Sequence, residues 1–154
     1  LIKLYGCAPI ADASQVTNPL VVHTDGSCRT AGGHDSCAGA GIYFGHRNAL
    51  NRSERVSGPQ TNNRAELYAV LTALQLAPLD RPLHVYTDSQ YVINSLTHWA
   101  PMHAKCGWIC TNGDVMKSIV AWIRARSAPL HFFWVKGHSG NKHNDEADRL
   151  ANAG

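Results

Sequence analysis

Leu20-Val21-Val22-His23-Thr24-Asp25-Gly26-Ser27 is a short β-rich run that ends in a carboxylate and a turn signal. Leu83-His84-Val85-Tyr86-Thr87-Asp88-Ser89 repeats the arrangement later in the chain. An apolar strand sets its last residue at one edge of a sheet. If the two strands are parallel neighbours, Asp25 and Asp88 emerge side by side. Like charges so placed repel and need compensation. Carboxylate oxygens are hard ligands, so a divalent cation such as Mg²⁺ or Mn²⁺ supplies it. The competing reading makes each aspartate the cap of the turn or helix that follows.

Outward from these two runs the chain alternates in pattern. Arg29 to Ser36 reads as a loop, Ala38 to Phe44 as a second strand and Arg52 to Ser57 as a third. Three strands with no helical pattern between them form an antiparallel meander. Leu67, Val70, Leu71 and Leu74 then fall at helical spacing, which predicts a helix from Thr61 to Ala77, ended by Pro78 and Pro82. After the strand at 83–87, Ser89 to His98 reads as a short helix and Pro101 to Thr111 as a loop or irregular helix. Asn112 to Arg126 is helical by Val115, Ile119, Val120 and Ile123. Leu130 to Val135 is the fifth strand, Gly137 to Lys142 a loop and Asn144 to Ala153 a terminal helix. The order predicts an α/β layer fold with a mixed sheet. Residues 1–19 lack periodicity and read as a leader or linker, with one domain over 20–154.

Bulk composition narrows the function classes. The 154 residues suit one domain with its own core. A formal charge of +3 permits a polyanionic partner without demanding one. No apolar run could span a bilayer and no signal peptide is legible. Five cysteines, an odd number without regular spacing, fit a reducing compartment, and hence an intracellular, cytoplasmic or nuclear, setting. His98, His103, Cys106 and Cys110 form an irregular H-x4-H-x2-C-x3-C, a loose rival metal site for zinc.

Two further acidic sites lie on helices. Glu66 falls near the start of the first long helix, where an acid also suits the helix dipole. Asp145, Glu146 and Asp148 open the last helix, and spacing alone leaves open which of them faces the sheet.

Four segments together resemble the ribonuclease H family, specifically its cellular type 1 enzymes. They are Thr24-Asp25-Gly26-Ser27, Gln60-Thr61-Asn62-Asn63-Arg64-Ala65-Glu66, Tyr86-Thr87-Asp88-Ser89, and Val135-Lys136-Gly137-His138-Ser139-Gly140 followed by Asn144-Asp145-Glu146-Ala147-Asp148. The likeness runs from about Leu20 to Gly154. It implies a ribonuclease H-like fold, a five-stranded mixed sheet flanked by helices. It implies that Asp25, Glu66, Asp88 and Asp148 bind two Mg²⁺ ions, with Mn²⁺ able to substitute, about 3.5–4 Å apart. The implied reaction is hydrolysis of the RNA strand of an RNA/DNA hybrid by a monomer, leaving 5′-phosphate and 3′-hydroxyl ends. His138 then assists proton transfer or product release, as an imidazole that titrates near neutrality can.

Substrate contacts follow from the same resemblance. Gly26, Ser27, Thr61, Asn62 and Asn63 fall on the substrate side, the two asparagines reading ribose 2′-hydroxyls. Tyr91 and Trp99 stand along the hybrid. Three positions depart from relatives: Pro59 replaces an arginine of the DNA-phosphate pocket, Lys117 aligns with an asparagine of that pocket, and Ala31 replaces an RNA-contacting asparagine. Lys117 becomes the candidate cation of a rebuilt DNA-strand grip. A silent nucleic-acid-binding module, a resolvase or integrase of the same fold, and a domain cut from a reverse transcriptase are the alternatives. The four acids and the Asn-Arg-Ala-Glu and Lys-Gly-His-Ser-Gly segments disfavour them.

Overall fold

The computed structural model describes residues 18–31, 35–137 and 140–154. In chain order the elements are β1 (Leu20–Ala31), β2 (Asp35–Tyr43), β3 (Arg52–Arg55), α1 (Asn62–Leu76), β4 (Leu83–Thr87), α2 (Gln90–Asn94), a π turn (Ser95–Trp99), α3 (Ala100–Lys105), α4 (Gly113–Ala125), β5 (Leu130–Trp134) and α5 (Lys142–Ala153). The five strands make one sheet in the order β3-β2-β1-β4-β5. β1, β2 and β3 pair antiparallel, while β4 runs parallel to β1 and to β5. The expected mixed sheet is therefore present.

The two faces of β1 go to different helices because side chains alternate along a strand. Val22 and Thr24 are buried, and Gly26 on the same face lies against the backbone of α1. Ser27, on the other face, bonds Asn152 of α5. Gly39 and Gly41 of β2 admit α5 closely: an added Cβ would lie 2.1 Å from the Ala151 carbonyl oxygen and 2.0 Å from that of Ala147. The core between the sheet, α1 and α4 holds Val22, Ile42, Leu67, Leu74, Leu83, Val85, Met116 and Ile119.

Three expectations need correction. β1 does not turn at Asp25–Ser27 but continues to Ala31, because β2 pairs with it residue by residue from His23↔Tyr43 to Ala31↔Asp35. The Arg29 to Ser36 loop is accordingly the end of that hairpin. Ser89 to Lys105 is helical almost throughout, with a wider π turn at Ser95–Trp99 and Pro101 in the first turn of α3, where its missing N–H costs nothing. Residues 1–17, most of the expected leader, lie outside the described residues. No helix among the described residues is long and apolar enough to cross a membrane.

Candidate active site

The site forms where the sheet splits. β1 and β4 pair from Leu20↔Leu83 to Thr24↔Thr87 and then part, while β1 stays paired to β2. Asp25 and Asp88 are the next residues on each side of that opening. Glu66 enters from α1, whose backbone comes so close to Gly26 that an added Cβ there would lie 2.3 Å from the Glu66 nitrogen. One oxygen from each of Asp25, Glu66 and Asp88 lies within 4.8 Å of the others. Among the described residues this is the one His/Cys/Asp/Glu group of three or more close enough to share a metal ion.

The electrostatics are those of crowded, dehydrated acids. Burial, then the charge of Asp88, pushes the Asp25 carboxyl up to about 7. Burial, then the charge of Asp25, raises Glu66 well above the usual carboxylate range. Gly26 N–H donates to Asp25 Oδ1 at 2.9 Å and partly offsets this. Glu66 Oε2 is buried without a hydrogen-bond partner. Buried polar atoms are normally satisfied, so an orphaned carboxylate oxygen facing two further acids fits a missing cation. Asp148 on α5 is half-buried and its charge acts on Asp25, although it stands outside the close trio. Asp145 is exposed.

The ribonuclease H family model matches residues 17–154. The chain belongs to the ribonuclease H family. It is 38% identical over 141 residues to human ribonuclease H1, spanning 88% of this chain and 49% of that protein. It is 36% identical over 142 residues to a *Mycolicibacterium smegmatis* ribonuclease H, spanning 89% and 87%. The solution structure of the PFV RNase H domain superposes with a TM-score of 0.67 at 26% identity, covering 86% of this chain and 92% of that one. With that membership the chain is a ribonuclease H enzyme, and its acidic trio lies where the two parallel strands separate.

The remaining candidate residues of this ribonuclease H divide by position. Thr61 caps α1, its Oγ1 accepting the Arg64 N–H at 3.2 Å, and Asn62 and Asn63 are exposed in the first turn. Ser27 Oγ donates to Asn152 Oδ1 at 2.6 Å. Tyr91 packs on the core and accepts a bond from Asn112 Nδ2 at 3.2 Å, with the Trp99 ring 6.2 Å away. Trp99 and Lys117 are exposed. His138 lies outside the described residues. His98, His103, Cys106 and Cys110 do not come together as a metal-binding group.

Two features escaped the reading of the sequence. Arg64 is buried and bonds Asp114, the Ser57 carbonyl and Asn112, tying α1 to the start of α4. The asparagine beside the start of α1 is thus Asn112, not the residue at 117. Its left-handed backbone, φ 61°, is a conformation that Asn tolerates, and the Asn112-Gly113 pair was the available signal. Trp134, beyond the apolar pattern of β5, donates its indole N–H to the Asp88 carbonyl at 3.2 Å.

Proposed function

We propose that this chain hydrolyses the RNA strand of RNA/DNA hybrids with two divalent cations, Mg²⁺ or alternatively Mn²⁺, and leaves 5′-phosphate and 3′-hydroxyl ends. The observation that carries the reading is the trio Asp25, Glu66 and Asp88 with the orphaned Glu66 oxygen. Asp148, whose charge reaches Asp25, completes the set of holding acids. When bound, the ions acidify a water and neutralise charge on the phosphate. The protein's own part is to hold four acids ready at one opening in the sheet. Asn62 and Asn63, exposed one turn before Glu66, read the ribose 2′-hydroxyls of the RNA. His138 moves a proton or aids release of product. Gly26 brings the substrate-facing backbone of α1 against β1, and Ser27 is held by Asn152 at the same edge. Thr61 and Asn112 flank the DNA-strand side, and Trp99 with Tyr91 offers an aromatic surface to the deoxyriboses. Lys117 contributes charge from α4. The chain acts as a monomer inside the cell, in cytoplasm or nucleus.

The test is initial rate on end-labelled hybrid, duplex DNA, duplex RNA and single-stranded RNA, with Mg²⁺, with Mn²⁺ and in excess chelator. Cleavage of the RNA strand of the hybrid alone, abolished by chelator, is the expected result. Equal rates on hybrid and duplex RNA would overturn the strand assignment. Full activity in chelator would overturn the role of the ions.

A further inference from the structure

Asp88 differs from its two neighbours in what holds it. Asp25 sits inside a long strand and Glu66 inside a long helix, but Asp88 lies in the bend between β4 and α2. The β4–β5 ladder ends at Thr87↔Trp134, and the Val135 N–H adds one more bond to the Thr87 carbonyl at 2.9 Å. The next carbonyl is that of Asp88, and a side chain reaches it: Trp134 Nε1–H donates to it at 3.2 Å. Gly137 then closes on the carboxylate, since an added Cβ would lie 2.6 Å from Asp88 Oδ2. The Ser89 N–H is held by Thr87 Oγ1 at 3.1 Å, which fixes the backbone on the far side of Asp88.

Trp134 is 49% exposed and does not belong to the apolar core. A large apolar ring left half in water is not explained by packing. Its one polar atom points at the main chain of a metal-site acid. We propose that Trp134 is a positioning residue for Asp88. Its indole N–H adds a side-chain rung to the β4–β5 ladder and sets the direction in which Asp88 offers its oxygens to a divalent cation. Gly137 forms the opposite wall. Groups that orient a ligating side chain commonly change metal affinity by about 10–100-fold when removed. The inference rests on the metal-dependent reading above.

The experiment is calorimetric titration of the full chain with Mn²⁺ in the absence of nucleic acid. It compares wild type with Trp134→Phe, which keeps a ring and loses the donor, and with Gly137→Ala, which crowds the carboxylate. Both variants should bind Mn²⁺ about tenfold or more weakly. For Trp134→Phe the thermal midpoint in chelator should stay within a few degrees of wild type, and the KM for hybrid should hold while the Mn²⁺ needed for half-maximal rate rises. Replacing Trp134 by 3-benzothienylalanine, an isostere with sulfur in place of N–H, should reproduce the Phe result. Wild-type Mn²⁺ affinity in Trp134→Phe would overturn the positioning role alone. A change confined to the KM for hybrid would do the same and make the ring a substrate contact. A wild-type chain that binds no Mn²⁺ would instead overturn the metal-dependent reading, and this proposal with it.

Discussion

Arg64 and Asp114 face each other across α1 and α4 in a two-pronged ion pair, Nη1 to Oδ1 at 2.9 Å and Nη2 to Oδ2 at 2.8 Å. The guanidinium is buried and the carboxylate side chain is 67% exposed. The pair therefore holds one end of a charge that cannot easily return to water. Asp114→Asn should cost about 1–2 kcal/mol, between a surface pair and a fully buried one. The thermal midpoint should fall by several degrees. Mn²⁺ affinity should be unchanged, because Asp114 lies outside the acidic trio; a loss of metal binding would show that the pair positions Glu66.

Gly26→Ala should separate β1 from α1. The new Cβ would meet Glu66 nitrogen at 2.3 Å and the Ala65 carbonyl carbon at 2.6 Å, both backbone atoms that cannot swing aside. Overpacking of this kind costs about 1–3 kcal/mol. Glu66 should be displaced from the trio, so Mn²⁺ binding should weaken along with stability. A variant of wild-type stability and metal affinity would mean that the helix is free to slide.

Chelated protein should carry a pH signature of its crowded acids. Asp25 titrates at about 7 in the fold and near 4 when unfolded. Between those values the folded chain binds more protons, so stability falls as pH rises through that window. In chelator, Asp25→Asn should raise the thermal midpoint at pH 8 and change it little at pH 4. His23 contributes with the opposite sign. Burial, then the charge of His143, lowers its pKa from 6.5 to about 4, so stability is lost as pH falls through that range. Its ring stacks on Tyr86 at 4.8 Å, a contact that phenylalanine can keep. His23→Phe should flatten the acid limb of the midpoint–pH curve. Equal shifts at both ends of the pH range would refute the assignment of either group.

His138→Ala should slow turnover by about 10²-fold or less, the scale of general acid–base assistance. Hybrid binding should barely move. Wild-type turnover across neutral pH would make His138 a solvated surface residue.

Asn62→Ala with Asn63→Ala should reduce hybrid cleavage much more than Lys117→Ala. The asparagines are exposed on the turn before Glu66, whereas Lys117 is exposed on α4. Lys117→Ala should act mainly on affinity and on its salt slope, as the loss of one phosphate contact does. Rates at two salt concentrations separate the two effects.

What could be read in the sequence was local chemistry. Two strand-Thr-Asp repeats pointed to parallel neighbours, and the pairing of Thr24 with Thr87 bears this out. The turn read at Asp25-Gly26-Ser27 was wrong because Gly26 serves a helix contact rather than a reversal, and only the pairing with β2 reveals that. Arg64 and Asp114 stand 50 residues apart, and no periodicity links them. Trp134 read simply as a strand residue; its partner is a backbone atom on another strand's end. The choice of Asp148 on the last helix came from the resemblance, since three acids in one turn look alike by spacing.

The π turn has its own arithmetic. Tyr91 and Trp99 are eight residues apart, and in an unbroken α-helix that separation leaves two side chains about 80° out of phase. The wider turn at Ser95–Trp99 takes up the surplus, and the two rings end 6.2 Å apart. The helix behaves here as a vernier: one extra residue per circuit rotates everything after it. Removing a single residue between Ser95 and Thr97 would turn Trp99 about 100° from Tyr91 while leaving every residue upstream in place. The number of residues between the two rings is therefore under tighter constraint than the identity of those residues.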